Sequence, residues 1–111
     1  MKQEINQLVT AIKNSEEYLR MQRAKRKLDE FPDLKRQVNE FRVRAYQLNK
    51  EGAPDLFEMM DHMEQEYAGM RENPYVQEFL ASELAVCRMF QQVNWTLLQE
   101  LEFDPSFLNE I

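Results

Sequence analysis

Few side chains in this 111-residue chain have the types and spacing that catalysis or metal binding needs. His62 is the only histidine, and Glu58 and Glu66 lie four residues to either side of it. This spacing places all three on one helical face, where they could hold a divalent cation. The di-iron bundle signature is Glu-x-x-His contributed twice, and this chain has neither that spacing nor a second histidine. We therefore interpret the group as a solvated face and predict no metal site.

Nucleophiles and cofactor-binding loops are also poorly represented. Cys87, the single cysteine, falls among apolar residues, where a thiol behaves as a small hydrophobe. One cysteine excludes an all-cysteine zinc or iron–sulfur site within one chain. Gly52 and Gly69 are the only glycines and lie too far apart to build a P-loop or a dinucleotide-binding turn. We expect no catalytic residue, no cofactor and no enzymatic activity.

Any function must therefore be carried by long helices. Glu, Gln, Leu, Met, Lys and Arg are abundant, glycine is scarce, and these straight side chains lose little rotamer freedom in a helix. The sequence predicts an all-α bundle of four to five helices with a long C-terminal helix, in one domain over residues 1–111. No signal peptide or run of about 18 apolar residues is present, so we expect a cytoplasmic protein.

Capping residues and prolines set the predicted helix boundaries. Ser15 and Asn73 are N-cap candidates, Pro74 suits the first helical position, and Gly52 suits a left-handed C-terminal position. Whether the chain breaks or only bends at Ser15 is left open by the sequence. The predicted helices run near residues 2–13, 15–30, 33–50, 55–71 and 75–101.

The last helix has an apolar arc that spans about half its circumference. A helix that faces solvent in a two-layer bundle needs a narrower stripe, so the width favours cover by a second chain. The alternative is a central helix in a monomeric core. The residues predicted for self-association, in a homodimer or a larger assembly, are Phe79, Val86, Phe90, Val93 and Leu97.

Two polar residues, Glu83 and Asn94, lie near the centre of this arc. A buried carboxylate needs a partner, so we predict that Glu83 meets a basic side chain, with Arg42 or Arg44 as candidates. Asn94 could fix register or oligomeric state in a buried polar seam. The alternative is that Glu83 lies at the edge of the seam in water.

Charge is divided unevenly along the chain. Residues 1–50 carry a net charge of +5 and residues 51–111 a net charge of −11. One interpretation is a basic face for a partner, including nucleic acid; the other, which we favour, is electrostatic matching between the two halves. The candidate basic face comprises Arg20, Arg23, Arg26 and Lys27.

Several helix-boundary motifs, taken in order, resemble those of the YlbF/YmcA family of small helical bacterial regulators of competence. The resemblance covers about residues 3–101. The motifs are Asn14-Ser15-Glu16-Glu17-Tyr18, Phe31-Pro32-Asp33-Leu34, Phe41 and Glu72-Asn73-Pro74-Tyr75-Val76-Gln77-Glu78-Phe79-Leu80-Ala81-Ser82-Glu83-Leu84.

The resemblance implies a bundle that self-associates through its long helices and regulates through protein contacts. In the family these contacts include complexes among members, which affect competence, sporulation and biofilm formation and assist an RNA-processing endonuclease. Related family members and an RNA-processing complex are therefore candidate partners. Some members carry cysteines near the C-terminus that are connected with iron–sulfur clusters, but no cysteine follows Leu101 here. No catalytic residue carries over.

Overall fold

The computed structural model describes residues 1–52 and 54–106, which form six α-helices and no strand. The absence of strands among these residues and the 27-residue last helix confirm the predicted all-α fold with a long C-terminal helix. The helices are α1 (Lys2–Lys13), α2 (Glu16–Asp29), α3 (Pro32–Glu51), α4 (Leu56–Glu66), α5 (Ala68–Arg71) and α6 (Pro74–Glu100).

The predicted capping residues define three of these boundaries. The Ser15 hydroxyl accepts a hydrogen bond from the Tyr18 N–H (3.3 Å) and donates one to the Ile12 carbonyl (2.6 Å), so the chain breaks between α1 and α2. The Asn73 side chain caps α6 by accepting from the Tyr75 N–H at 2.9 Å. Gly52 ends α3 in the left-handed region, with φ 60° and ψ 38°, as predicted.

The described residues form six helices where four to five were predicted, because the segment near 55–71 divides at Tyr67. The Tyr67 backbone leaves helical geometry (φ −102°, ψ 16°) and separates α4 from α5. Its ring packs edge-on against Phe41, with centroids 5.5 Å apart, and its hydroxyl accepts from Arg44 Nη1 at 3.1 Å. These contacts place Tyr67 against α3. They are tertiary contacts, so the spacing of apolar residues along the chain could not predict them.

Helices α2 and α6 form an antiparallel pair that carries most of the packing. Lys27, near the end of α2, lies over the ring of Tyr75 at the start of α6, and Arg20, about two turns earlier, pairs with Glu78. The core lies where this pair meets α3 and α5. Its buried residues are Ala24, Leu28, Val38, Met70, Val76 and Phe79.

The core therefore lies at one end of the α2–α6 pair, near the start of α6. At the other end, α1 and the last three turns of α6 have no buried residue. No helix in the described part of the chain is long and apolar enough to cross a membrane.

Candidate protein-interaction surface

The first half of α6 belongs to the core of its own chain. Phe79 and Val86, both predicted to lie in a self-association interface, are 7% and 3% exposed. Between them Ser82 is fully buried, and its hydroxyl donates to the Phe79 carbonyl at 2.8 Å. The predicted interface is corrected at Phe79 and Val86: both side chains are already removed from water within their own chain, Phe79 by core residues of α2 and α3, as in the alternative of a central core helix.

The second half of α6 has an apolar stripe that its own chain leaves uncovered. We call it the distal α6 face, made of Phe90, Val93, Leu97 and Leu101. Phe90 is 49% exposed, Leu97 52% and Leu101 71%, and Val93 is half-buried. The spacing of three, four and four residues puts these side chains on one side of the helix. Three of the five predicted interface residues thus remain available to a second chain.

Helix α1 has a second uncovered stripe, which we call the α1 stripe: Ile5, Leu8, Val9 and Ile12. None of the twelve α1 residues is buried, although α1 has the strongest separation of apolar and polar sides among the longer helices. Ile5 is 51% exposed and Val9 42%. An amphipathic helix in water gains its stability from packing its apolar side, and this side has little to pack against within the chain.

A single ion pair joins α3 to α6 between the core and the distal α6 face. The Arg42 guanidinium lies 2.6 Å from the Glu83 carboxylate, whose side chain is 26% exposed. Arg42 also lies over the Phe79 ring, with its guanidinium carbon 5.5 Å from the centroid. Glu83 therefore meets one of the two arginines named from the sequence. The predicted buried polar seam of Glu83 and Asn94 is therefore corrected. Glu83 is only half-buried, in its ion pair with Arg42, and Asn94 lies exposed on the surface.

The candidate basic face on α2 divides into two parts. Arg20 pairs with Glu78, and Lys27 is 2.9 Å from Glu30 and 5.1 Å from the centroid of the Tyr75 ring. The hydrogen bond and the charge of Glu30 raise the pKa of Lys27, so this side chain stays cationic throughout the neutral range.

The other two members, Arg23 and Arg26, are exposed and make no ion pair with the described residues. They are the part of the face that remains open to a partner.

Three ion pairs connect a cation of the first half to a carboxylate of the second half: Arg20–Glu78, Arg42–Glu83 and Arg44–Glu66. Arg44 is the most connected, because it donates to both the Tyr67 hydroxyl and Glu66, and these bonds raise the pKa of its guanidinium. Part of the positive charge of the first half is thus paired with carboxylates of the second half within the chain. This favours electrostatic matching between the two halves over a continuous basic surface for nucleic acid.

The family model described as "Control of competence regulator ComK, YlbF/YmcA" matches residues 1–102. The chain belongs to this family. A UPF0342 protein of Caldicellulosiruptor bescii is 24% identical over 100 residues, which cover 87% of this chain and 84% of that relative. No solved structure gives a significant match.

Membership of the YlbF/YmcA family supports a regulatory role for the protein. Within residues 1–52 and 54–106, no three His, Cys, Asp or Glu side chains cluster in a way that could hold a metal ion. Cys87, which the sequence placed on the apolar arc, is exposed on α6 and free of any disulfide.

Sequence reasoning missed two features of this YlbF/YmcA chain. The sequence predicted a helix near residues 2–13 but not that the α1 stripe would stay uncovered. The four apolar residues on one side of this helix were the signal that could have marked it as a contact surface. It also missed the exposed side of α3, where Val43 is 55% and Tyr46 66% exposed. The ammonium group of Lys50 lies 6.0 Å from the centroid of the Tyr46 ring. The sequence pattern alone does not show that this side of α3 is exposed.

Proposed function

We propose that this protein is a non-catalytic regulatory adaptor that works through protein–protein contacts and self-associates through its uncovered apolar stripes. The observation that carries this proposal is the pair of stripes at the end of the molecule away from the core. Membership of a family of competence regulators supports the regulatory role. The position of the stripes on two helices favours a macromolecular partner over a small ligand, because stripes on convex helices form no enclosed cavity.

The amount of exposed surface supports the self-association. A compact monomer of 13.4 kDa has an accessible surface of about 6,500 Å² by the usual scaling. This chain has 8889 Å². Its radius of gyration is 17.4 Å, against about 13 Å for a compact domain of this length. The excess, roughly 2,400 Å², is as large as the area that one subunit contributes to an obligate dimer interface.

Sizing in solution tests the self-association directly. We expect light scattering coupled to gel filtration to give at least twice the chain mass for the wild type at micromolar concentration. Phe90→Asp places a carboxylate on the distal α6 face and should give a monomer with unchanged helical circular dichroism, because Phe90 is already half exposed in the single chain. Gln92→Asp is the matched control: it adds the same charge on the opposite side of α6 and should leave the oligomer intact. A monomeric wild type would contradict the proposal.

For a different protein partner, we propose the part of the basic face formed by Arg23 and Arg26. Two exposed arginines without partners among the described residues are suited to carboxylates on an acidic protein surface. The variant Arg23→Glu/Arg26→Glu should lose at least tenfold in recovery of the partner when the tagged protein is captured from its native cell. Lys50→Glu/Arg88→Glu changes the net charge equally at two other exposed positions and should retain the partner.

The same variants discriminate against nucleic acid. Binding of the isolated protein to RNA that falls steeply with salt, and that Arg23→Glu/Arg26→Glu abolishes, would favour a nucleic-acid-binding protein instead.

A further inference from the structure

We propose that α1 of one copy packs antiparallel on the distal α6 face of a second copy, so that two chains exchange their N-terminal helices. This inference rests on the proposed self-association and specifies the contact that produces it. The occupant of each uncovered stripe is then the other uncovered stripe, on a second molecule of the same chain.

The spacing of apolar residues matches across the two stripes. From Ile12, steps of three and four residues back along α1 reach Val9 and Ile5. From Phe90, steps of three and four residues forward along α6 reach Val93 and Leu97. Antiparallel helices bring such series together pair by pair, because the steps run in opposite directions along the two chains. The pairs are Ile12 with Phe90, Val9 with Val93, and Ile5 with Leu97.

This alignment also continues the register of the Lys27–Tyr75 contact between α2 and α6. Lys27 lies over Tyr75 within the chain. Moving fifteen residues back from Lys27 gives Ile12, and moving fifteen residues forward from Tyr75 gives Phe90. If α1 extended α2 in a straight line along α6, the α1 stripe would therefore lie on the distal α6 face.

The chain's own α1 does not occupy that position. The Ser15 cap ends α1 and starts α2 as a separate helix, and the two stripes stay exposed on the same chain. In the proposed pair, α1 of a second copy covers the distal α6 face, and the break between α1 and α2 at Ser15 is retained in both chains. The lengths agree as well: α1 has twelve residues and the segment from Phe90 to Leu101 has twelve, each about 18 Å long.

Charge at the two contacting segments is complementary. Helix α1 has two lysines and one glutamate, whereas the segment 90–101 has one acidic residue, Glu100, and no basic one. In the proposed register the start of α1, with Lys2, lies near the end of α6, which is followed by Glu102 and Asp104. Opposite net charges across an interface favour association of the two segments.

Disulfide trapping between two different single-cysteine chains tests the exchange. Cys87→Ser removes the native thiol, and Val9→Cys and Val93→Cys are then introduced in separate, differently tagged chains that are co-expressed. Valine and cysteine have similar volumes, so neither change should disturb the fold. We expect most of the two chains to form a mixed disulfide on mild oxidation, because a directly opposed pair meets the distance that a disulfide needs. Gln92→Cys, on the opposite side of α6, replaces Val93→Cys in the control and should give at least tenfold less product.

Each other outcome has a separate meaning. An oligomer of normal size in which Val9→Cys does not link to Val93→Cys overturns the exchange but leaves the proposed self-association standing. A chain that carries both cysteines and closes the disulfide on itself, as a monomer on a non-reducing gel, overturns the exchange in favour of an internal contact. A monomeric wild-type protein in the sizing experiment overturns the proposed self-association and the exchange together.

Discussion

Phe79→Ala should destabilise the protein by about 3–5 kcal/mol, the range measured when a buried phenylalanine is truncated. Phe79 is 7% exposed and packs in the core with α2, and the Arg42 guanidinium lies over its ring. A small domain has a total stability of about 5–15 kcal/mol, so this single change should remove a large fraction of it. Urea denaturation followed by circular dichroism should show a much lower midpoint with an unchanged slope.

Phe57→Ala is the matched control for this prediction. Phe57 is the same residue type on α4, but 90% of its surface is exposed, so its truncation leaves no cavity and should cost less than about 0.5 kcal/mol. Both variants must be compared with the wild type at one protein concentration, because the proposed self-association would add to the apparent stability. Equal losses for the two variants would show that α6 is not packed into the core as described.

The ends of the helices were predictable because they depend on local chemistry. A serine hydroxyl at Ser15, an asparagine side chain at Asn73 and a glycine at Gly52 each satisfy backbone groups a few residues away. These interactions need no information about the rest of the fold. The all-α class was predictable for the same reason. Helix propensity is a property of each residue, and this chain has few glycines and many long unbranched side chains.

The division of α6 into a covered and an uncovered half was not predictable in the same way. Phe79 and Phe90 lie on the same apolar arc, and the sequence pattern treats them alike. Only the position of α2 and α3 decides that Phe79 is buried while Phe90 is half exposed. Tyr67 is similar: its contact with Phe41 divides the predicted fourth helix, although the apolar spacing continues through it.

The uneven distribution of the core connects folding to the proposed regulation. The end with Val76 and Phe79 is packed by its own chain, and the end with Phe90 and Leu97 is not. In the proposed self-association, the protein would complete its packing when chains meet, because the apolar surface left at one end is of the size that an interface buries. Regulation through assembly then needs no active site.

Val9→Asp should convert the protein to a monomer without unfolding the single chain. Val9 is 42% exposed and lies on a helix that has no buried residue, so a carboxylate there stays in water in the monomer. In the exchanged pair the same position faces Val93. Because Val9 is 42% exposed in the single chain, each interface would lose less than half of the burial of a valine, about 0.6–1.3 kcal/mol, and would also have to desolvate a charge.

Because twofold symmetry repeats the substitution, these losses occur twice per dimer. The dissociation constant should therefore rise by at least about 100-fold, since 1.4 kcal/mol corresponds to a factor of ten. Sedimentation or light scattering over a concentration series measures this shift. Gln7→Asp adds the same charge on the polar side of α1, where Gln7 is exposed, and should leave the dissociation constant within about threefold of the wild-type value. If both variants dissociate the oligomer equally, general charge repulsion is responsible; if neither does, α1 lies outside the interface.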